Sequence, residues 1–520
     1  MLRVAPLTAL AVALVLLPSA CSSHIGEPVA SATDQPNLAT WLDDDADVAS
    51  LSLVRGQIDL AGATDARLTV GLRNARITAI PNGCVPSTVV RRRSFTTGPT
   101  LVCQVAGGVD TVSFDAIVVG PQGGTVTGTA AFGDGADRQR GTLPERTISG
   151  GSPTLAPDLR LISSPDFLNA DVGDLAEGPS RWTPARSSNS TNADYERALG
   201  EILDDWADLD PAAVLVAGDL VDGRWGYDDQ KTGNFGPVTT LPQARAALRR
   251  AARTYYPQWT ERFTRRGLAP FPAMGDHEYG DNPWSARKRK FASDFRREFA
   301  REFTLSPTGA PRFADRPPGQ AATTAYAGRP TPDLQVVTLD VFDITPQRAR
   351  VGLDAQQFTW LRGVLAKAKR DDVEWVVVQG HTPIATPVRA RGSSVLQYPG
   401  GTDSRLWKLF RRYDVDLYLA GEVHDTTAIE RDGVVQISHG GLFQFGLTTA
   451  LVLDFYGSSL YLTLRDYDVR HADVGPRLWE TRRGGMPSQI SVEGSPMTIG
   501  TAIVSQGRLI DPSGVLKPLR

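Results

Sequence analysis

Short apolar segments between residues 158 and 424 most strongly constrain the fold of this chain. They are DLRLISS, AAVLVAGD, LAPFPAMGD, DLQVVTLD, VEWVVVQGH and VDLYLAGEVH. Helical patterns lie between them, over 193–206, 241–266, 285–303, 354–370 and 403–412. Continuous apolar strands that alternate with helices indicate an α/β sheet covered on both faces. Almost every segment ends in Asp, His or a Gly-Asp pair, and ligands of such sheets bind beyond the strand ends.

Residues 51–132 have a different pattern, in which apolar and polar residues alternate in segments such as DARLTVGL and TVSFDAIVV. This period of two predicts a small all-β, Ig-like domain, which we interpret as a spacer or docking module. Residues 133–157 are predicted to be a linker. The α/β domain then extends over 158–475, and a C-terminal extension over 476–520.

The first 21 residues resemble a secretory signal peptide. Arg3 precedes an apolar run from Val4 to Leu17, which is too short to span a bilayer comfortably. Cys21 follows small residues, as at a bacterial lipoprotein processing site, although Pro18 departs from that pattern. Two localisations stay open: a lipid on Cys21 that anchors the chain on the outer face of the cytoplasmic membrane, or plain secretion. Residues 22–50, with the acidic DDDAD, are predicted to be a flexible tether.

Cysteine usage indicates the redox environment of the chain, and net charge indicates which classes of partner it can bind. If Cys21 carries lipid, Cys84 and Cys103 remain as one pair, and export favours a disulfide between them over two free thiols. The formal net charge of −3 argues against a nucleic-acid partner, which normally requires a basic face. The sequence does not indicate an oligomeric state.

Carboxylates and imidazoles recur at the predicted strand ends. Together they supply at least four carboxylates and three histidines, which is the ligand mix for two divalent cations with one carboxylate able to bridge. The motifs are SSPDFLNAD (163–171), GDLVDG (218–223), GDHE (275–278), QGHTP (379–383) and GEVHD (421–425).

In this order, the five motifs resemble those of the calcineurin-like metallophosphoesterases, and the resemblance covers roughly residues 158–470. It implies a double-sheet sandwich flanked by helices. The match is complete at Gly218-Asp219-x-x-Asp222, whereas Leu168 stands where the first motif has His, with Asn169 or Asp171 as candidate replacements. In the later motifs, Asp276 replaces Asn and Glu422 replaces His.

The resemblance also implies a ligand set and catalytic roles. One cation would be bound by Asp166, Asp219 and His424, and the other by Asp219, Asp276, His381 and Glu422. Because the substitutions shift the donors towards oxygen, Mn²⁺ or Mg²⁺ is favoured, with Fe and Zn open. His277 would protonate the leaving group, Asp222 would hold its ring, and Glu278 would tie down the loop.

The resulting hypothesis is an exported phosphoesterase that hydrolyses a phosphomonoester or phosphodiester. One alternative is a non-catalytic relative that binds metal or phosphate, and another is a cell-envelope adhesion or scaffolding protein. His439, after a further strand, is either a packed histidine or a contact of the site. Residues 284–303 form either a solvated basic helix face, with phenylalanines at 291, 295, 299 and 303 packed inward, or a cap that attracts anionic substrate.

Overall fold

The computed structural model describes the strand residues between 40 and 148 and then 156–167, 193–221, 223–227, 235–390, 393–441, 448–470 and 491–519. The predicted signal peptide and Cys21 lie outside these residues, so export and lipidation stay predictions. Within the described part of the chain, no helix has the length and apolar character needed to cross a membrane.

Strands between residues 40 and 148 form two antiparallel sheets. They are β1 (Thr40–Trp41), β2 (Leu53–Asp59), β3 (Ala66–Arg73), β4 (Ala75–Ala79), β5 (Cys84–Pro86), β6 (Thr100–Val105), β7 (Thr111–Val118), β8 (Gly124–Phe132) and β9 (Gln139–Ile148). The sheet orders are β1-β2-β7-β4 and β5-β6-β3-β8-β9. β1 lies in the predicted tether, and β9 in the predicted linker. The Ig-like character of this region stays a prediction.

Two larger sheets form the α/β part of the molecule. Their orders are β12-β11-β10-β21-β22-β25-β26 and β13-β14-β17-β18-β20-β19. The remaining strands, β15 with β16 and β23 with β24, form two-stranded ribbons. The strands are β10 (Leu159–Ser163), β11 (Ala213–Val216), β12 (Pro270–Pro272), β13 (Tyr326–Thr331), β14 (Leu334–Thr338), β15 (Phe342–Ile344), β16 (Ala349–Val351), β17 (Trp375–Gln379), β18 (Leu417–Ala420), β19 (Thr427–Arg431), β20 (Val434–Ser438), β21 (Thr449–Tyr456), β22 (Ser459–Asp466), β23 (Val469–Arg470), β24 (Ser491–Val492), β25 (Met497–Ser505) and β26 (Arg508–Ile510).

Of the strands that lead to the motifs, β11, β17 and β18 are buried at every position, as their continuous apolar sequences predict. Side chains of one face, such as Leu215 and Val336, pack between the two sheets. Side chains of the other face, such as Val214 and Val376, pack in the core that includes the helices. The structure therefore confirms the predicted double-sheet sandwich flanked by helices. β10, β11 and β12 are parallel, as are β14, β17, β18 and β20, so the carboxyl ends within each set share one edge.

The helices follow the sequence prediction closely, with one difference. They are α1 (Ala193–Asp208), α2 (Leu241–Thr264), α3 (Ala286–Arg289), α4 (Ala292–Phe303), α5 (Ala355–Arg370) and α6 (Arg405–Arg412). The single helix predicted over 285–303 is two helices, because Lys290 and Phe291 form tighter bonds to carbonyls three residues back. The phenylalanines of this segment are buried, as predicted. Asp354 caps α5 by accepting a hydrogen bond from the Gln357 N–H.

The C-terminal residues extend the sheet of the α/β part. β25 pairs with β22, and β26 pairs with β25, so both add strands beyond the centre of the seven-stranded sheet. These strands lie within the segment predicted as a C-terminal extension. The segment therefore contributes to the sheet although it follows the last motif in sequence.

Candidate metal centre

The turn after β11 places Asp219 in the interior of the site. Gly218 and Asp219 both have left-handed backbones, with φ of 94° and 58°. A side chain at position 218 would lie 2.5 Å from His381 Nδ1, so only glycine fits between the turn and that ring. Steric crowding by the His381 ring thus explains the glycine that precedes Asp219. The turn directs the Asp219 carboxylate towards His381.

Most of the predicted ligands converge on the His381 imidazole. Its Nε2 atom lies 3.1 Å from an Asp276 oxygen and 3.3 Å from oxygens of both Asp219 and Glu422. On the other side of the ring, Nδ1 lies 4.0 Å from Asp166 Oδ1. None of these five side chains is more than 4% exposed. Segments that are far apart in sequence therefore form one buried cluster of four carboxylates and one imidazole.

Three groups of side chains have ligand atoms that all lie within 4.8 Å of one another. They are Asp166 with Asp219 and His381, Asp219 with Asp276 and His277, and Asp276 with His381 and Glu422. Asp219, Asp276 and His381 each belong to two of these groups, and the carboxylates of Asp219 and Asp276 could each bridge two cations. His424 is buried in the same turn as Glu422 but belongs to no such group in the described part of the chain.

The burial of these carboxylates leaves excess negative charge. Burial raises the pKa of Asp219 to about 6 and that of Asp166 well above its ordinary value. Although burial disfavours the imidazolium, the surrounding carboxylates raise the pKa of His381 far above its usual range. One imidazolium cannot balance four carboxylates, so a divalent cation fits this cluster electrostatically.

The donor atoms also fit a cation. Asp166 Oδ2 is buried and has no hydrogen-bond partner among the described residues. Unpaired buried carboxylate oxygens are costly unless they bind a cation or a proton. His381 Nδ1 lies 2.8 Å from the Ala217 carbonyl, which leaves Nε2 directed at the carboxylates. The donor set is mainly oxygen, as the sequence substitutions predict.

Polar residues that the sequence analysis missed hold two of the candidate ligands. Asn282 Nδ2 donates to Asp276 Oδ2 at 2.6 Å and to Ser394 Oγ at 2.9 Å. Ser393 Oγ and Ser394 Oγ donate in turn to Glu422 Oε1, at 2.8 and 2.7 Å. Glu422 is therefore a buried, hydrogen-bonded group and not a surface charge. The residues lie in irregular loops, so no periodicity marked them.

Glu278 ties the loops together, as the sequence analysis predicted. Its carboxylate accepts hydrogen bonds from the backbone N–H groups of Asp219, Leu220 and Gly275, at 2.9, 2.8 and 2.6 Å. Burial, followed by the charge of Asp219, raises the pKa of Glu278 to about 7. The side chain thus joins the turn after β11 to the turn that precedes His277.

His277 lies at the edge of the cluster, and its side chain is 16% exposed. Its Nε2 atom is 4.0 Å from Asp219 Oδ2 and 3.8 Å from Asp281 Oδ1. Asp281 in turn accepts from Arg224 at 2.6 Å. Asp222, the predicted partner of His277, lies outside the described residues. The sequence analysis missed Asp281, which a spacing of four from His277 could have suggested.

Part of the first motif lies outside the described residues, whereas His439 lies within them. Leu168, Asn169 and Asp171 lie outside the described residues, so the replacement for the missing histidine stays open. His439 Nε2 lies 2.9 Å from Ser163 Oγ, and the ring is fully buried. Burial lowers its pKa to about 3. His439 belongs to none of the ligand groups, so its packing role is the one that these contacts describe.

Comparisons with known proteins support the family assignment. The family model described as calcineurin-like phosphoesterase matches residues 171–425. A search of curated proteins finds no match. A solved structure titled "GAP50 the anchor in the inner membrane complex of Plasmodium" is 10% identical with a TM-score of 0.31, and the alignment covers 65% of this chain and 89% of that one. A GH20 exo-β-N-acetylglucosaminidase from Vibrio harveyi is also 10% identical, with a TM-score of 0.16 and coverage of 78% and 84%.

Both TM-scores are too low to support an argument about fold or function. The match to the family model does support an assignment. It includes Asp219, Asp276, His381 and Glu422 and therefore most of the buried cluster. Through residues 171–425, this chain belongs to the calcineurin-like phosphoesterase family.

Proposed function

We propose that this chain is an exported, metal-dependent phosphoesterase that hydrolyses a phosphomonoester or phosphodiester. The observation that carries the proposal is the buried cluster of four carboxylates around His381. Four buried carboxylates would destabilise a core that had only a structural role, because each buried charge costs free energy unless a cation pairs with it.

The described residues suit two cation positions. Asp166 and Asp219 would hold one cation, and Asp219, Asp276, His381 and Glu422 would hold the other. When bound, such divalent cations bind phosphoryl oxygens and lower the pKa of a water ligand towards neutrality. Because carboxylates outnumber imidazoles, Mn²⁺ or Mg²⁺ is the favoured metal over Fe or Zn.

The chain's own contribution to the chemical step is proton transfer at His277. Its Nε2 atom faces Asp219 and Asp281, and its side chain is 16% exposed, so we expect it to donate a proton to the leaving oxygen of the ester. Asp281, held by Arg224, lies 3.8 Å from the same Nε2 atom and would help to orient the ring. Asp222 keeps its predicted role as a second orienting group.

Export and lipid anchoring through Cys21 remain part of the proposal on the evidence of the sequence alone. One backbone feature allows the predicted disulfide: the register of β5 and β6 places Cys84 directly opposite Cys103. Residues paired in this way are close enough for a disulfide. Mass analysis of the mature protein, with Cys21→Ala as the control, tests the lipid, and thiol titration before and after reduction tests the disulfide.

Activity assays with defined metals test the central proposal. The chelated protein should not cleave aryl phosphates or bis-aryl phosphates, and adding Mn²⁺ or Mg²⁺ should restore cleavage of at least one class. Bound metal without cleavage of any ester in a broad panel would favour a non-catalytic relative. A protein that binds no metal, and whose melting temperature is unchanged by chelators, would favour the scaffolding alternative.

A further inference from the structure

A groove of about 670 Å³ lies between α2 and α4, and arginine side chains dominate its lining. Arg245, Arg249 and Arg253 come from α2, and Arg297 and Arg301 come from α4. The loop after α4 closes one end with Leu305, Ser306, Pro307 and Gly309. None of the groove residues belongs to the ligand groups of the metal centre.

The two acidic residues of the groove form its floor. The side chains of Asp294 and Glu298 are only 6% and 2% exposed, whereas the arginines that pair with them are 39–58% exposed. Arg245 and Arg297 bind Asp294, at 3.0 and 2.6 Å. Arg253, Arg297 and Arg301 pair with Glu298, at 3.2–3.5 Å. The carboxylates thus hold guanidinium groups side by side at the surface.

The ion pairs leave a positive excess in the groove. Five guanidinium groups face two carboxylates, so three positive charges are not balanced by the lining. Arg249 has no hydrogen bond or ion pair among the described residues, although it lies in the middle of the α2 row. This local excess contrasts with the whole chain, which has a formal net charge of −3.

The spacing of the arginines suits a ligand with several anionic groups. Positions 245, 249 and 253 recur every four residues, which advances about 6 Å along one face of a helix. Guanidinium groups bind phosphate oxygens through two parallel hydrogen bonds. A volume of 670 Å³ is in the range of pockets for small molecules. Three unbalanced charges exceed what a single phosphate group can neutralise.

We propose that the groove between α2 and α4 binds a small molecule that carries two or more phosphate groups, at a site separate from the metal centre. Arg249 is the primary contact, because its guanidinium has no partner within the described protein. The paired arginines flank it and hold the outer phosphates. This proposal does not depend on the activity of the metal centre.

Binding of inorganic tripolyphosphate to the full-length protein tests the site. Isothermal titration should show binding in the wild type and in Asp219→Asn, which disrupts the metal centre. Arg249→Gln should weaken binding by about tenfold or more, since one charge-assisted pair is lost without unpairing Asp294 or Glu298. Arg265→Gln, at an exposed position just after α2, is the matched control and should bind as the wild type does.

Several outcomes would overturn the proposal. Equal binding by Arg249→Gln and the wild type would exclude the groove. Loss of binding in Asp219→Asn would place the anion at the metal centre instead. Equal weakening by Arg249→Gln and Arg265→Gln would indicate diffuse attraction without a site. Binding to phosphatidylglycerol vesicles, but not to tripolyphosphate, would indicate that the groove binds a membrane surface and not a small molecule.

Discussion

The metal centre and the arginine groove are opposite in charge, and they differ even more in burial. At the metal centre, four carboxylates surround one imidazole, and all five side chains are excluded from solvent. In the groove, the two carboxylates are buried beneath arginines whose charged groups reach water. Both regions therefore carry an excess of one charge, but only the groove can solvate its excess.

The difference in burial predicts a difference in behaviour. Charge that is removed from water costs several kcal/mol per group unless a side chain or a bound ion of opposite charge pairs with it or a proton neutralises it. Charge at the surface is screened by water and salt, so its contribution is smaller and depends on ionic strength. Substitutions at the metal centre should therefore have large effects, and those in the groove should have graded effects that salt reduces.

The largest expected effect follows from replacing the shared ligand. Asp219→Asn should abolish metal retention and reduce kcat by about a thousandfold or more, since bound cations supply several kcal/mol of transition-state stabilisation. Metal analysis and kcat on the best ester check this. Asp432→Asn is a matched control, because Asp432 also has a left-handed backbone but is exposed at 39%. Full metal content and activity in Asp219→Asn would contradict the inference that the buried carboxylates around His381 bind the catalytic cations.

The next effect separates the proton donor from the cation ligands. His277→Ala should lower kcat by about 10²- to 10⁴-fold while metal content stays unchanged. The loss should be greater for an alkyl phosphate than for a nitrophenyl phosphate, because a nitrophenolate leaves without needing a proton. An equal loss for both esters, or a loss of metal, would assign His277 to the cation cluster instead.

The sequence predicted the cluster of candidate metal ligands better than the groove because of how each is built. Asp219, Asp276 and His381 directly follow apolar strands, and the edge of a parallel sheet brings such positions together. The same rule placed Asp166 and Glu422. The groove joins α2 to α4 through residues such as Arg249 and Arg297. Helical periodicity indicates which residues share a face, but it cannot indicate which helix faces which.

Sequence patterns also did not predict which loop residues contact the candidate ligands, because loops lack a regular periodicity. Ser394, Asn282 and Asp281 lie in loops, where neither period two nor period 3.6 applies. His424, a ligand according to the motif, lies in a turn where Glu422 and His424 both have left-handed backbones, and it joins no ligand group among the described residues, so its role stays a prediction. Backbone conformations of this kind are set by tertiary contacts and not by local sequence.

A smaller effect tests whether the loop serines hold the metal centre in place. Ser394→Ala removes a donor to Glu422 and the acceptor of Asn282, so metal affinity should fall by about 10- to 100-fold. Titration of the metal-free protein with Mn²⁺ measures it. Ser306→Ala, in the groove, is the control and should leave Mn²⁺ affinity unchanged. If the two variants bind Mn²⁺ equally, Ser394 does not position Glu422.

The smallest expected effect concerns His439, a fully buried histidine that belongs to none of the ligand groups among the described residues. Burial lowers its folded pKa to about 3, so between pH 6.5 and pH 3 only the unfolded chain binds this proton. The free energy of unfolding should therefore fall with falling pH, by up to about 1.4 kcal/mol per pH unit from this group. His439→Asn should show a shallower fall of melting temperature between pH 6 and pH 4, by about 2–4 °C per unit. Ser163→Ala, which removes the hydroxyl partner but keeps the imidazole, should retain the wild-type slope. Identical slopes in the wild type and His439→Asn would mean that the folded protein binds this proton as readily as the unfolded chain does, which would contradict the lowered pKa of His439.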